Sequence, residues 1–141
     1  MRRCPALTRF GAVQEIDIAG PLIAVVEDDS SMAAAIRRLL SAAGFRVRLF
    51  DSAEALGASG WARKADCLVL DMRLPGVGAA EFYASLTRPR PPALFITAHD
   101  GPLARRSAER VGALGCLAKP FDGTEFLRRV TQACRAGDGT A

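Results

Sequence analysis

Three consecutive acids, Glu27-Asp28-Asp29, stand directly behind the apolar run Leu22-Ile23-Ala24-Val25-Val26. Like charges at such short range raise each other's pKa and destabilise a fold unless a cation neutralises them. A hard divalent cation with oxygen ligands suits such a cluster. Three further polar groups occur in similar settings. Asp71 follows Cys67-Leu68-Val69-Leu70, Thr97 ends Ala93-Leu94-Phe95-Ile96-Thr97, and Lys119 follows Cys116-Leu117-Ala118 and precedes Pro120. Alone, each has an ordinary explanation: a turn or cap for the acids, a strand end for the threonine, a surface Lys-Pro for the lysine. Together, two acids, a hydroxyl and a lysine around a metal suit the stabilisation of a phosphoryl group in in-line transfer, with a carboxylate as nucleophile.

These groups can act together only if the chain brings them together. The apolar runs are short and near-continuous, as strands of a parallel sheet covered on both faces are. They predict strands at 22–26, 45–50, 67–70, 93–97 and 116–118. Between them, helical spacing predicts helices over 30–43, closed by Gly44, over 52–60 with Ser52 as N-cap, over 80–87, and over 103–111, ended by Gly112. The sequence Asp122-Gly123-Thr124-Glu125 has capping-box spacing, and Phe126, Val130 and Ala133 form the apolar stripe of a final helix. Five strands alternating with five helices predict a doubly wound α/β sandwich, in which ligands bind beyond the C-terminal strand ends at a topological switch point. Glu27 to Asp29, Asp71, Thr97 and Lys119 all fall at such ends.

Composition fits this setting. The 141 residues are half hydrophobic and about a quarter charged, an ordinary globular balance with enough chain for one core. No apolar run approaches the roughly 18–20 residues of a membrane span. The start, Met1-Arg2-Arg3, is charged but leads into no apolar signal-peptide core. Cys4, Cys67, Cys116 and Cys134 form no Cys-x-x-Cys pair and read as free thiols of a reducing compartment. The formal charge is +4, and only Lys64 and Lys119 among the basic side chains are lysines. The arginines are scattered over polar helix faces without a helix-turn-helix, zinc-finger or RNA-binding signature, so no nucleic-acid partner is expected.

The chain resembles the receiver domain of two-component response regulators. The residues carrying the resemblance are Val25-Val26-Glu27-Asp28-Asp29-Ser30, Leu70-Asp71-Met72-Arg73-Leu74-Pro75-Gly76, Phe95-Ile96-Thr97-Ala98-His99 and Leu117-Ala118-Lys119-Pro120-Phe121. The likeness covers residues 21–135 and implies a flavodoxin-like sheet of order 2-1-3-4-5. It also implies that Asp71 is the phosphoacceptor for a sensor histidine kinase or a histidine phosphotransfer protein. Mg²⁺ would be held by Asp28, Asp71 and the Arg73 backbone carbonyl, with Glu27 acting directly or through water. Thr97, Ala98 and Lys119 would contact the phosphate, and Arg73 and His99 would tune its lifetime. Asp29 is better placed as a helix cap than as a ligand.

Two departures stand out. The strand-five aromatic that the family couples to Thr97 is here Cys116, and Ala79 stands where the family places a glycine. Residues 1–20 read as a loosely structured extension and 136–141 as a short tail. No output domain is evident, so the expected role is a cytoplasmic single-domain regulator acting through protein contacts. A homodimer through the last two helices and strand five is one such contact. The competing readings are a degenerate receiver used as a constitutive interaction module, and a Mg²⁺-dependent aspartyl phosphatase. Arg73, standing where such phosphatases carry a general acid, argues against the latter.

Overall fold

The computed structural model describes residues 20–73, 76, 78–98 and 102–139, with the side chains of 137–139 left aside. The expected N-terminal extension, up to residue 19, lies outside the described residues. The elements run β1 (Leu22–Val26), α1 (Ser30–Ala42), β2 (Arg46–Phe50), α2 (Ala53–Ser59), α3 (Trp61–Lys64), β3 (Cys67–Asp71), α4 (Ala79–Ser85), β4 (Ala93–Thr97), α5 (Pro102–Arg110), β5 (Gly115–Ala118) and α6 (Gly123–Gly139). The five strands form one parallel sheet in the order β2-β1-β3-β4-β5.

Alternation along the central strands builds two cores. Ile23, Val25, Val69, Leu94 and Ile96 face α1 and α6, where Ile36, Leu40, Phe126 and Val130 meet them. Ala24, Val26, Leu68, Leu70 and Phe95 face the other way, against Leu56 of α2, Ala62 of α3, Phe82 and Tyr83 of α4 and Ala108 of α5. Every residue of β1, β3 and β4 is buried, whereas the edge strands β2 and β5 are partly exposed. Phe126 stacks on Phe121 with ring centroids 5.0 Å apart.

The fold agrees with the expected class, with two differences in its helices. Six helices rather than five are present among the described residues. Gly60 takes a left-handed conformation (φ 82°), which a residue with a Cβ resists, and this ends α2 and starts the short α3. The last helix continues to Gly139, through most of the stretch expected to be a tail. Gly44 and Gly112 also take positive φ, closing α1 and α5 as their positions predict. No helix among the described residues is long and apolar enough to cross a membrane.

Candidate functional site

The chain leaves β1 in one direction for β2 and later crosses to β3 on the other side, so the crevice opens beyond the C-terminal ends of β1 and β3. Asp28 lies just past β1 and Asp71 is the last residue of β3. One carboxylate oxygen from each of Glu27, Asp28 and Asp71 lies within 4.8 Å of the other two. Glu27 and Asp71 are each 4 % exposed, while Asp28 faces solvent. The donor set is oxygen only, partly buried and open on one side. This fits a hard divalent cation that keeps part of its water shell.

Lys119 supplies the positive charge inside the cluster. Its Nζ donates to Glu27 Oε1 at 3.0 Å and to Asp71 Oδ2 at 3.4 Å. Burial pushes the Glu27 carboxyl above its ordinary value, and the neighbouring Asp71 charge adds to this, outweighing Lys119 and the Asp29 amide. Burial opposes the Lys119 ammonium, but hydrogen bonding to Glu27 and the charges of Asp71 and Glu27 prevail and raise its pKa. Both directions express one cause. A half-buried group of three acids has a single ammonium beside it among the described residues.

The backbone holds these groups in register. The Lys119 N–H donates to the Thr97 carbonyl at 2.7 Å, tying the ends of β4 and β5. The Met72 N–H donates to the Ile96 carbonyl at 2.7 Å, tying β3 to β4. The Arg73 N–H donates to Asp71 Oδ1 at 3.1 Å, so the loop folds over the aspartate it follows. Thr97 is buried at the end of β4, and Ala98 is half-buried beside it. His99, with Leu74, Pro75 and Val77, lies outside the described residues.

The third acid of the triplet does separate work. Asp29 caps α1, its Oδ1 accepting from the Ser31 N–H at 2.9 Å and the Met32 N–H at 3.2 Å. Its own N–H donates to Glu27 Oε2 at 3.1 Å and helps hold that carboxylate. Ser52 likewise caps α2 through the Ala55 N–H. Glu125, in contrast, turns its carboxylate to Arg128 and Arg129, at 2.6 and 3.2 Å.

Cys116 sits in β5 opposite Phe95, with its Sγ 3.4 Å from the Ala104 carbonyl of α5. Beside it, a groove of about 520 Å³ runs between α5 and α6. Arg129 crosses this groove and donates to the Cys116 carbonyl at 3.0 Å. A Cβ on Gly115 would stand 2.9 Å from the Arg129 guanidinium, so the glycine admits the arginine. In the sequence Arg129 is one of the arginines on polar helix faces; its four-residue spacing from Glu125 and the glycine opening β5 are the signals for this contact. Ala79 is buried as the first residue of α4, and the Gly78 N–H donates to Glu81 at 3.3 Å.

Residues 23–131 match the model of the response regulator receiver domain. The chain is 38% identical over 115 residues to nodulation protein W of Bradyrhizobium diazoefficiens, which covers 79% of this chain and 50% of that protein. It is 34% identical over 122 residues to the transcriptional regulatory protein FixJ of the same organism, covering 84% and 59%. The chain thus spans about half the length of these curated relatives. Among solved structures, a response regulator receiver protein from Burkholderia phymatum superposes with a TM-score of 0.71 at 34% identity, covering 81% of this chain and 94% of that one. A BeF3-activated DrrB receiver domain shares the fold with a TM-score of 0.75 at 24% identity, over 82% and 98%. Family model, relatives and fold agree, and the chain belongs to the response regulator receiver domain family.

Proposed function

We propose that the chain is a phosphoacceptor of a two-component system, phosphorylated on Asp71 in a Mg²⁺-dependent reaction. The observation that carries this is the convergence of Glu27, Asp28 and Asp71 with Lys119 at the β1/β3 crevice. An Asp71 oxygen attacks the phosphorus of a phosphohistidine on a sensor histidine kinase or histidine phosphotransfer protein. The O–P bond forms as the N–P bond breaks, and the imidazole leaves with the electron pair. Asp28, Asp71 and the Arg73 carbonyl, with Glu27 in support, would hold Mg²⁺, which would supply positive charge to the transferring group. Lys119 exchanges a carboxylate for a phosphoryl oxygen, and Thr97 and Ala98 contact another. Arg73 and His99 set how long the group survives water. Hydrolysis of the aspartyl phosphate is a slow side activity; the chain is a signalling element rather than a turnover enzyme.

The chain works in the cytoplasm as a receiver built on residues 21–135. It acts on a downstream protein, or pairs with a second copy, through α5, β5 and α6, without direct contact to nucleic acid. Incubation with Mg²⁺ and acetyl phosphate, followed by intact-mass measurement, tests the reading: one phosphoryl increment on wild type supports it, and an equal increment on Asp71→Asn refutes the assignment.

One observation favours a second reading. Cys116 is a short side chain bound at Ala104, where a larger switch group is expected. A degenerate receiver would hold its partner constitutively. Partner affinity would then be the same for wild type and Asp71→Glu, whereas a tenfold change, about 1.4 kcal/mol, excludes it.

A further inference from the structure

At the β2 edge of the sheet, near the start of the strands and away from the carboxylates, lies an open groove of about 640 Å³. Arg37, Arg46, Arg48 and Trp61 line it with apolar residues of β1 and β2, and no carboxylate among the described residues does. Among the described residues no acid pairs with these three arginines, whereas Arg128 and Arg129 are both taken up by Glu125. Arg48 stacks over the Trp61 ring at 4.4 Å, with the Lys64 ammonium 5.2 Å from the same ring. Arg46 donates through Nε to the Gly20 carbonyl at 2.8 Å, which holds its guanidinium beside the strand.

The backbone of this edge also carries information. The Arg46 N–H donates to Pro21 and the Phe50 carbonyl accepts from Glu27, both toward β1. In a parallel ladder, N–H and C=O of one residue point the same way and alternate along the strand. The amides and carbonyls of Val47 and Leu49 therefore face outward, on a strand with no neighbour on that side among the described residues.

We propose that this edge is a docking groove for an extended acidic segment of a partner protein. The segment adds as a further strand on β2, hydrogen-bonding to Val47 and Leu49, and lays its carboxylates along Arg37, Arg46 and Arg48. The outward backbone ladder selects a polypeptide over a nucleic acid, and guanidinium groups with no acid partner among the described residues select acidic side chains. Charge on an edge strand also deters unwanted pairing; that role alone provides no saturable site. The proposal is independent of phosphorylation.

The test is fluorescence polarisation of the full chain with a short fluorescein-labelled peptide of Glu-Glu-Val repeats, which as a strand carries carboxylates on both faces. Saturable binding is expected, weakened about tenfold or more by Arg48→Glu and, separately, by Arg37→Glu, with backbone amide shifts at Val47 and Leu49 by NMR. Asp71→Asn is expected to bind as wild type does. The proposal is overturned by absence of saturable binding, by wild-type affinity in folded Arg48→Glu and Arg37→Glu, or by equal binding of a Lys/Val peptide. Tighter binding of oligothymidylate, or a self-association that Arg48→Glu abolishes, overturns it too, since the occupant is then nucleic acid or a second copy.

Discussion

The Lys119 ammonium lies 3.0 Å from the carboxylate of Glu27, a residue only 4 % exposed and 92 positions away in the chain. The same ammonium reaches Asp71 at 3.4 Å. One lysine therefore keeps two buried acids tolerable in the cation-free protein.

Removing that lysine exposes the cost. Lys119→Ala is expected to lower stability by about 1–3 kcal/mol, the range for leaving buried polar partners unmatched. Mg²⁺ should recover part of the loss, because it neutralises the same acids. The sign with pH follows from the raised Lys119 value: its contribution is complete below the ordinary lysine value of 10.5 and fades only as pH rises through the elevated one. Urea unfolding with and without Mg²⁺ checks this; an unchanged midpoint in the variant contradicts it.

Mg²⁺ should raise the melting temperature of the wild-type chain. At a free concentration about 100 times the dissociation constant, linkage supplies about 2.7 kcal/mol. Asp28→Asn should abolish most of that shift, as it removes the solvent-facing carboxylate of the cluster. A thermal shift titration decides; an undiminished shift in Asp28→Asn would place the cation elsewhere.

Asp29 separates from its neighbours by the same assay. As the cap of α1, its replacement by Ala should cost about 1 kcal/mol. The Mg²⁺-induced shift should survive, since Asp29 lies outside the oxygen cluster of Glu27, Asp28 and Asp71. Loss of both would make it one.

Phe126 is fully buried between α6 and the sheet and stacks on Phe121. Phe126→Ala should destabilise by about 3–5 kcal/mol. Because this core lies under the α1/α6 face, the loss should be the same with and without Mg²⁺, as chemical denaturation would show.

Much of this was legible from residue order. Near-continuous apolar runs ending in Asp71 and Thr97 announced buried parallel strands with polar ends, because only a covered sheet tolerates such runs. Asp29 and Ser52 read as caps because short acceptors before helical spacing leave few other uses. Other features were not legible. Helix α3 escaped notice because its four residues are too few to show a period, and only the φ of Gly60 separates it from α2. The extension of α6 to Gly139 was masked by glycines that favour a coil reading. The Lys119–Glu27 pairing and the Arg129 contact with Cys116 depend on side-chain reach across elements distant in sequence, which no local pattern encodes. The outward Val47 and Leu49 backbone depends on strand pairing, which local spacing leaves open.

The most direct measurement is intact-mass analysis of wild type and Asp71→Asn after incubation with acetyl phosphate, each with Mg²⁺ and with EDTA. The account predicts one phosphoryl increment on wild type in Mg²⁺, lost in EDTA and absent from the variant under both conditions. An equal increment on Asp71→Asn, or one on wild type indifferent to EDTA, would contradict it.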